Sequence, residues 1–323
     1  MERVAMIERT GGPEVIGWRE VELPPPGPGE VRMRNTAIGL NYIDTYHRSG
    51  IYPVPLPGGL GMEAAGLVEA VGENVDLRPG DRVATFGPSR GAYATARNLP
   101  ATELFRLPDD VDDRTAAAIL LKGCTAEFLI ERCAHVRAGQ IVLVWAAAGG
   151  VGQILVGWLK RVGATVVAVV GTEEKAARVR ELGADHVLLH RHEDVAARVR
   201  EITGGEGADV SLDSVGQASW EASMNSLKRR GLLVSYGNAG GPVTGVNLGQ
   251  LAAKGSLFVT RPTLFDYYRE PGERAAGVER LWSMLRDGAI RPEVGQTFAL
   301  ADAADAHRAL EAGETRGSTL LLP

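Results

Sequence analysis

The sequence has only two cysteines, Cys124 and Cys133, among its 323 residues. Two thiols are too few for a disulfide framework or a four-cysteine zinc lobe. No apolar run reaches the roughly eighteen residues that a membrane helix requires, and the first residues contain no signal-peptide core. These absences predict a soluble protein of the cytoplasm, with no membrane partner.

The chain also lacks an excess of positive charge, since its 35 Lys and Arg residues are outnumbered by 40 Asp and Glu residues. A net charge of −5 gives no electrostatic basis for binding nucleic acid. Hydrophobic residues make up 45% of the sequence, which is enough for two domains with cores of their own.

Proline is absent between Pro108 and Pro242, although twelve of the seventeen prolines occur by Pro108. Proline collects in turns and sheet edges, so this shift indicates a domain boundary. The proline-rich part contains short apolar runs separated by turns, which predict a small, closed β structure with one helix over residues 42–49. The part that follows alternates strands with helices, as in a doubly wound α/β sheet of six strands.

The stretch from Ile141 to Gly171 predicts a strand, a glycine turn, a helix and a second strand in succession. The turn fits the dinucleotide fingerprint G-x-G-x-x-G with Ala147 in its first position, Gly149 in its second and Gly152 in its third. The unpaired N–H groups at such a helix start bind a pyrophosphate. The alternative is a strand-to-helix turn in an α/β protein that binds no nucleotide.

The second strand ends at Gly171-Thr172, where an enzyme that prefers NAD would carry an acidic residue for the ribose hydroxyl. Lys175 follows this strand end and Arg191 follows the end of the next predicted strand, so both side chains can converge on it. Two positive charges at this position favour NADP, because they suit its 2′-phosphate. The alternative is that both are solvated surface charges and that Glu173 or Glu174 contacts the ribose.

Several motifs, in order and over almost the full length, resemble the zinc-free quinone oxidoreductases of the medium-chain dehydrogenase/reductase superfamily, the group that includes ζ-crystallin. The segments that carry the resemblance are Gly39–Tyr46 with Arg48–Gly50, Gly58–Gly66, Leu121–Thr125, the alanine-glycine turn, Asp213–Gly216, Ser235–Asn238 and Val259–Pro262. The resemblance implies a GroES-like, β-barrel-type catalytic domain over residues 1–123 and 263–323. It also implies a Rossmann domain over residues 124–262 that binds NADPH.

In the zinc-dependent relatives of this family, a cysteine occupies the position of Asn41 and a Gly-His-Glu triplet that of Gly61-Met62-Glu63. An amide and a thioether cannot replace thiolate and imidazole as zinc ligands, so we expect no metal. His186, His190 and His192 have a spacing that suits a metal, but we expect them at a surface strand end.

The resemblance also assigns roles to individual residues. Those implied near the nicotinamide are Asn41, Tyr46, Thr125, Phe258, Val259, Thr260 and Arg316. Those implied for the pyrophosphate are Ala147, Gly149, Gly150, Val151 and Gly152. Those implied for the adenosine phosphate, ribose and adenine are Gly171, Thr172, Lys175, His190, Arg191, Ser214, Val215 and Asn238.

The activity implied is reduction of quinones or related conjugated carbonyls by hydride transfer from NADPH, in which binding and orientation dominate. No catalytic acid or base is identified, but Asn41, Tyr46 and Tyr52 are candidates for orienting the substrate, the tyrosines by hydrogen bonds to its developing oxyanion. The two tyrosines are equally well explained as aromatic residues at the barrel rim. Two alternative functions remain, a 2-enoyl thioester or 2-alkenal reductase and a non-catalytic NADPH-binding protein.

The last strand of the predicted sheet, Ser256–Thr260, is short, apolar and free of charge or proline. The doubly wound order places it at one edge, where an unpaired strand invites association. A two-fold partner resolves this by pairing the same strand with itself, so a homodimer is predicted, as the resemblance also implies. The alternative is a monomer whose edge is covered by residues 240–249.

Overall fold

The computed structural model describes all 323 residues, which fold as two compact units. One consists of Met1–Leu121 with Pro292–Pro323, and the other of Lys122–Arg291. Residues 263–291 therefore pack within the second unit, whereas the sequence-based division assigns them to the catalytic domain. The reason is local packing: Leu281 is fully buried, and a Cβ added to Gly123 would lie 2.3 Å from its side chain.

The structure contains sixteen strands and ten α-helices. The strands are β1 Glu2–Ile7, β2 Gly17–Val21, β3 Glu30–Leu40, β4 Gly58–Gly59, β5 Glu63–Val71, β6 Arg82–Phe86, β7 Ala96–Pro100, β8 Leu104–Arg106, β9 Ile141–Trp145, β10 Thr165–Val170, β11 His186–Leu189, β12 Ala208–Asp213, β13 Leu227–Ser235, β14 Phe258–Thr260, β15 Val294–Ala299 and β16 Ser318–Leu322. The helices are α1 Tyr42–Ser49, α2 Asp113–Glu127, α3 Gly150–Val162, α4 Glu173–Glu181, α5 Val195–Ile202, α6 Trp220–Ser226, α7 Gly249–Ala253, α8 Leu264–Tyr267, α9 Pro271–Arg286 and α10 Ala303–Glu311, and a π-helix over Phe128–Cys133 follows α2. None of these helices is both long and apolar enough to cross a membrane.

The first unit is built from two sheets. Three strands form one sheet in the order β2-β1-β4, and seven form the other, in which β15-β16-β3-β5-β6-β8 are neighbours and β7 also pairs with β3. Strand β16 pairs antiparallel with β3, which confirms that the end of the chain returns to its first part. Buried side chains from both parts of the unit, including Val31, Met33 and Leu321, share one core.

The second unit is a parallel sheet of six strands in the order β11-β10-β9-β12-β13-β14, which confirms the doubly wound prediction. Strand β14 lies at one edge, as expected from the sequence. The central strands are buried on both faces; Val142, Leu143 and Val144 of β9 have no exposed surface. Strands that are buried on both faces form continuous apolar runs, and these runs allow the strands to be predicted from the sequence.

Parallel pairing determines where the loops of the second unit lie. Every strand of the sheet ends at the same edge, so the residues that follow β9 to β14 are all found there. The chain leaves β9 towards β10 and β11, and later returns to the other side of β9 with β12. A doubly wound sheet binds ligands at this change of direction.

Candidate functional site

The turn after β9 joins the sheet to helix α3 through closely packed backbone. Ala146 has a φ of 50°, in the left-handed region, so strand β9 ends at Trp145. A Cβ added to Gly152 would lie 2.4 Å from the carbonyl oxygen of Ala146 and 2.6 Å from the Cα of Ala147. Only glycine permits this approach of the helix to the turn, as the third fingerprint position requires.

Helix α3 begins without a side-chain cap. Its N-cap residue is Gly149, which has no side-chain acceptor for the N–H groups of the first turn, formed by Gly150, Val151 and Gly152. These N–H groups and the positive end of the helix dipole suit an anion such as a pyrophosphate. The buried Gln153 fixes the turn from within, because its Nε2 donates to the carbonyl oxygen of Ala148 at 3.0 Å.

Three basic side chains meet beside the end of β10. A Cβ added to Gly171 would lie 3.2 Å from Nε2 of His190 and 3.5 Å from Nε of Arg191. Burial lowers the pKa of Lys175, and the positive charge of Arg191 lowers it further. Burial likewise lowers the pKa of His190, with added contributions from Arg191 and Lys175. The structure therefore brings together the predicted phosphate residues as mutually repelling groups, which a bound phosphate would stabilise.

Thr172 caps helix α4 at this site, since its hydroxyl accepts from the backbone N–H of Lys175 at 3.3 Å. Glu173, one of the acids considered for a ribose contact, forms an ion pair with Arg180 on the same helix. Glu174, the other acid considered, lies close enough to Lys175 for its charge to raise the pKa of that lysine, so the strand end is a basic cluster with one acidic neighbour.

The loops after β12 and β13 form one hydrogen-bonded unit. The backbone N–H of Ala239 donates to the carbonyl of Ser214, and that of Gly240 donates to the carbonyl of Val215 at 2.7 Å. Asn238 is buried in the same loop. A Cβ added to Gly237 would lie 2.2 Å from the oxygen of Ser214, so the two loops can touch only through glycine. Ser214, Val215 and Asn238 are therefore neighbours, as predicted.

A buried carboxylate that the sequence analysis assigned no role shapes this loop pair. Asp213 is 1% exposed and accepts hydrogen bonds from the backbone N–H groups of Val215 and Gly216. The hydroxyls of Ser219 and Ser223 also donate to it. With these donors the buried charge is satisfied, and the loop that follows β12 is held in one conformation.

The remaining predicted cofactor residues are spread more widely. Phe258 is exposed on the edge strand, while Val259 packs against the cluster of Trp220 and Leu233. Thr125 is half-buried in the last turn of α2. Arg316, in the first unit, is exposed and forms an ion pair with Glu293 at 3.4 Å.

In the first unit, the two segments that correspond to the zinc-binding positions are joined by a hydrogen bond. The Nδ2 of Asn41 donates to Oε2 of Glu63 at 2.9 Å, and both residues are buried. The other carboxylate oxygen of Glu63 accepts from the backbone N–H of Leu121 at 2.7 Å. Met62, which precedes Glu63 in the sequence, is also buried. Amide, thioether and an engaged carboxylate do not form a zinc donor set.

Tyr46 and Tyr52, the two other candidates for orienting a substrate, lie together. Their rings meet edge to face with centroids 5.2 Å apart, and the backbone N–H of Tyr52 donates to the carbonyl of Tyr46. Both belong to the turn that ends α1, the helix that begins after Asn41. The three candidates are thus carried by one short segment of the first unit.

Helix α1 is fixed by a chain of buried polar groups. Oδ2 of Asp44 accepts from the backbone N–H of Asn41 and from the hydroxyl of Tyr93. The Tyr93 oxygen lies 3.0 Å from Nε2 of His307, and Nδ1 of His307 lies 3.1 Å from Nη1 of Arg48. Arginine can only donate, so Nδ1 accepts and Nε2 carries the proton that it donates to Tyr93.

The comparisons agree with this geometry. Residues 27–109 match the alcohol dehydrogenase GroES-like domain, and residues 150–267 match the family model called zinc-binding dehydrogenase. A quinone oxidoreductase of Pseudomonas aeruginosa is 50% identical over 315 residues, which are 97% of each chain. The chain belongs to the quinone oxidoreductase family. Despite the name of the matching model, Asn41, Met62 and Glu63 do not fit zinc.

Two further members of this group indicate its range. The structure of Escherichia coli quinone oxidoreductase complexed with NADPH superposes with a TM-score of 0.97 at 43% identity, over 99% of this chain and 100% of that one. A 2-haloacrylate reductase of a Burkholderia species is 43% identical over 332 residues, covering 100% of this chain and 99% of that protein. The family fold is therefore shared by relatives with different acceptors in their names.

The buried polar chain predicts a pH dependence of stability. Burial lowers the pKa of His307 to about 3, with a further lowering from Arg48. His307 therefore binds a proton in the unfolded chain at a pH at which it stays neutral in the folded chain. The free energy of unfolding falls as the pH drops below about 6.5. We expect His307 to contribute about 2 kcal/mol to the loss in unfolding free energy between pH 7 and pH 5.

Denaturant titrations of the wild type and of His307→Gln at pH 7 and pH 5 measure this contribution. The variant should show the smaller difference between the two pH values, whatever its absolute stability. His192→Gln, which removes an exposed imidazole, is the control. The same pH difference in wild type and His307→Gln would contradict the assignment of a neutral His307.

Proposed function

We propose that the protein reduces quinones or related conjugated carbonyls by hydride transfer from NADPH, without zinc. The observation that carries the proposal is the edge of the parallel sheet, where an uncapped helix start and a basic cluster lie beside each other at adjacent strand ends. Membership of the quinone oxidoreductase family supports the same reaction. The relative named 2-haloacrylate reductase supports conjugated acceptors other than quinones.

When bound, NADPH supplies a hydride; with one proton from solvent, a quinone becomes a hydroquinone and the cofactor leaves as NADP⁺. The helix start at Gly149–Gly152 binds the pyrophosphate in this proposal, with Ala147 behind it. Lys175, His190 and Arg191 bind the 2′-phosphate beside Gly171 and Thr172. Ser214, Val215 and Asn238 contact the ribose and adenine.

At the reacting end, the protein contributes orientation rather than acid–base catalysis. Asn41, held by Glu63, and the tyrosine pair Tyr46 and Tyr52 position the acceptor, and the two tyrosine hydroxyls donate hydrogen bonds to its developing oxyanion. Thr125, Val259, Thr260 and Arg316 are assigned to the surroundings of the nicotinamide on the family resemblance.

The exposed edge strand supports a homodimer. Within the second unit, the exposed large hydrophobic side chains are Val246, Leu248 and Phe258, of which Leu248 is 74% and Phe258 61% exposed. All three lie on β14 or in the segment that leads to it. An apolar edge of this kind is satisfied by antiparallel pairing with the same strand of a second copy. We therefore assign the dimer interface to this segment.

We assign the protein to the cytoplasm. Neither cysteine forms a disulfide; Cys124 is buried and Cys133 is half-buried. A protein that keeps its thiols reduced is typical of a reducing compartment, and this is the support for the assignment.

The first test follows NADPH oxidation with a panel of quinones, 2-alkenals and enoyl thioesters. We expect quinones or conjugated carbonyls to be reduced, and a strong chelator to leave the rate unchanged because the site offers no zinc ligands. Absence of turnover with every acceptor, while NADPH still binds, would instead support a non-catalytic NADPH-binding protein. Loss of rate that added Zn²⁺ restores would contradict metal-free reduction.

The second test concerns the choice of cofactor. Lys175→Ala removes a charge-assisted contact to the 2′-phosphate, so we expect NADPH binding to weaken by about 1.5 to 3 kcal/mol and NADH binding to change little. Dissociation constants from fluorescence titration provide the measurement. Arg137→Ala is the control, since Arg137 is exposed and precedes β9 at the opposite edge of the sheet. Equal losses for both cofactors would refute the NADP assignment.

The third test concerns assembly. Phe258→Lys places a charge in the proposed interface without disturbing the core, whereas Val259 packs against the Trp220 cluster and is a poorer choice. Light scattering should give a dimer for the wild type and a single species of 34.3 kDa for the variant. Leu67→Lys, at an exposed position of the first unit, should remain dimeric. A dimer that survives Phe258→Lys would exclude this interface.

A further inference from the structure

Two polar side chains of the first unit, His47 and Arg90, belong neither to the proposed cofactor site nor to the positions that bind zinc in zinc-dependent relatives. His47 follows Tyr46 on helix α1 and is 8% exposed. Its Nδ1 is buried and has no hydrogen-bond partner in the chain. The Nε of Arg90 is also buried without a partner. Both are strong hydrogen-bonding groups, and a buried group of this kind is normally satisfied.

The two side chains act on each other electrostatically. Burial lowers the pKa of His47 to about 4, and the positive charge of Arg90 lowers it further. His47 is therefore a neutral imidazole at neutral pH, and Arg90 carries the only charge of the pair. No carboxylate of the chain forms an ion pair with Arg90. The carboxylate of Glu103 is held by the N–H and hydroxyl of the neighbouring Ser89, and a guanidinium that forms no ion pair favours an anion.

The backbone that carries Arg90 is anchored on both sides. Ser89 donates to Glu103 from its N–H at 3.1 Å and from its hydroxyl at 2.7 Å. The carbonyl of Ser89 accepts from Nη1 of the buried Arg97 at 3.1 Å. On the other side, the N–H of Gly91 donates to the carbonyl of Gly61 at 3.0 Å. Arg90 thus extends from a fixed loop, so little order is lost when it binds a ligand.

The surroundings of the pair match a flat, conjugated molecule. The ring of His47 lies 6.2 Å from that of Tyr52, which in turn meets Tyr46 edge to face. Asp44 is the nearest acid along α1, but it is buried and accepts from Tyr93 and from the backbone of Asn41. The planar fork of an arginine binds a carboxylate through two parallel hydrogen bonds.

We propose that Arg90 and His47 form a carboxylate-recognition subsite, which makes conjugated carbonyl compounds that carry a carboxylate the preferred acceptors of this enzyme. Arg90 binds the carboxylate, and Nδ1 of His47 donates the additional hydrogen bond. The subsite shares Tyr46 and Tyr52 with the proposed acceptor position, so the substrate class rests on the proposed function.

The test uses a matched pair of acceptors, 4-oxo-2-pentenoate and its methyl ester, which share one enone and differ in charge. The ratio of their kcat/KM values in NADPH oxidation is measured for wild type, Arg90→Leu and Arg90→Lys. We expect the acid-to-ester ratio to fall about 10- to 100-fold in Arg90→Leu, because a neutral ester forms no charge-assisted pair. Arg90→Lys should restore part of it, since the charge returns without the fork.

Arg114→Leu is the control, because Arg114 is an exposed arginine of the same unit and its loss removes the same net charge. The acid-to-ester ratio should stay within about twofold of the wild type in this variant, as expected for a distant, screened charge. Thermal unfolding of each variant verifies that it is folded. A ratio in Arg90→Leu within twofold of the wild type would overturn the subsite.

A binding measurement separates this proposal from the proposed function. Calorimetric titration with 4-oxopentanoate, the saturated acid, needs no turnover. Binding at least about tenfold weaker in Arg90→Leu than in the wild type supports the subsite, even if no acceptor oxidises NADPH and the proposed reaction is wrong. Equal binding to both proteins, or no binding to the wild type, overturns the subsite even if quinones are reduced.

Discussion

Parallel strand pairing is the constraint on which the second unit depends. Because all six strands run in one direction, each strand delivers the residues that follow it to the same edge of the sheet. The turn at Ala146–Gly152, the basic cluster near Gly171 and the paired loops around Ser214 and Asn238 are consequences of that one direction. Helix α3 adds an uncapped start at the same edge. This edge therefore offers a ligand backbone N–H groups together with the basic side chains near Gly171.

In the first unit, buried polar groups are held in place by hydrogen bonds to one another, without a metal. The hydrogen bond from Asn41 to Glu63 joins the two segments that a zinc ion joins in metal-dependent relatives. Asp44, Tyr93, His307 and Arg48 continue the polar chain towards the ion pair with Glu311. Each buried donor along this chain has an acceptor, which is the condition under which buried polar groups stabilise a single conformation. The cap of α1 is thus held by directional bonds.

Local sequence patterns predict the helices and strands whose ends are marked by nearby residues. The helix over residues 42–49 has the limits that the sequence predicts, because a capping box at Asn41 and the left-handed Gly50 mark its ends. Strands β7 and β15 are harder to recognise in the sequence. They contain polar residues, and no residue of β15 is buried, so their pairing with β3 and β16 depends on contacts far away in sequence.

The same distinction applies to the candidate site. The positions at which the sequence places the pyrophosphate and the 2′-phosphate could be predicted because they follow strands whose common direction is known in advance for this fold. Asp213 ends such a strand, but its acceptor role depends on two serines of the next helix. His307 occupies the apolar face of α10, where periodicity alone suggests another core residue. His47 and Arg90 are distant in sequence and come within electrostatic range of each other only through tertiary folding, so no spacing rule reveals them.

The route of the chain through the first unit has a consequence for its synthesis. Strand β16, which pairs with β3, and helix α10, which supplies His307, both follow the second unit in the chain and are synthesised after it. The second unit is one continuous stretch and has all its strands before that moment. Domains generally fold as units while the chain is made. The part of the chain that is translated first is therefore completed only after the whole second unit has been synthesised, and until then strand β3 lacks one of its partners.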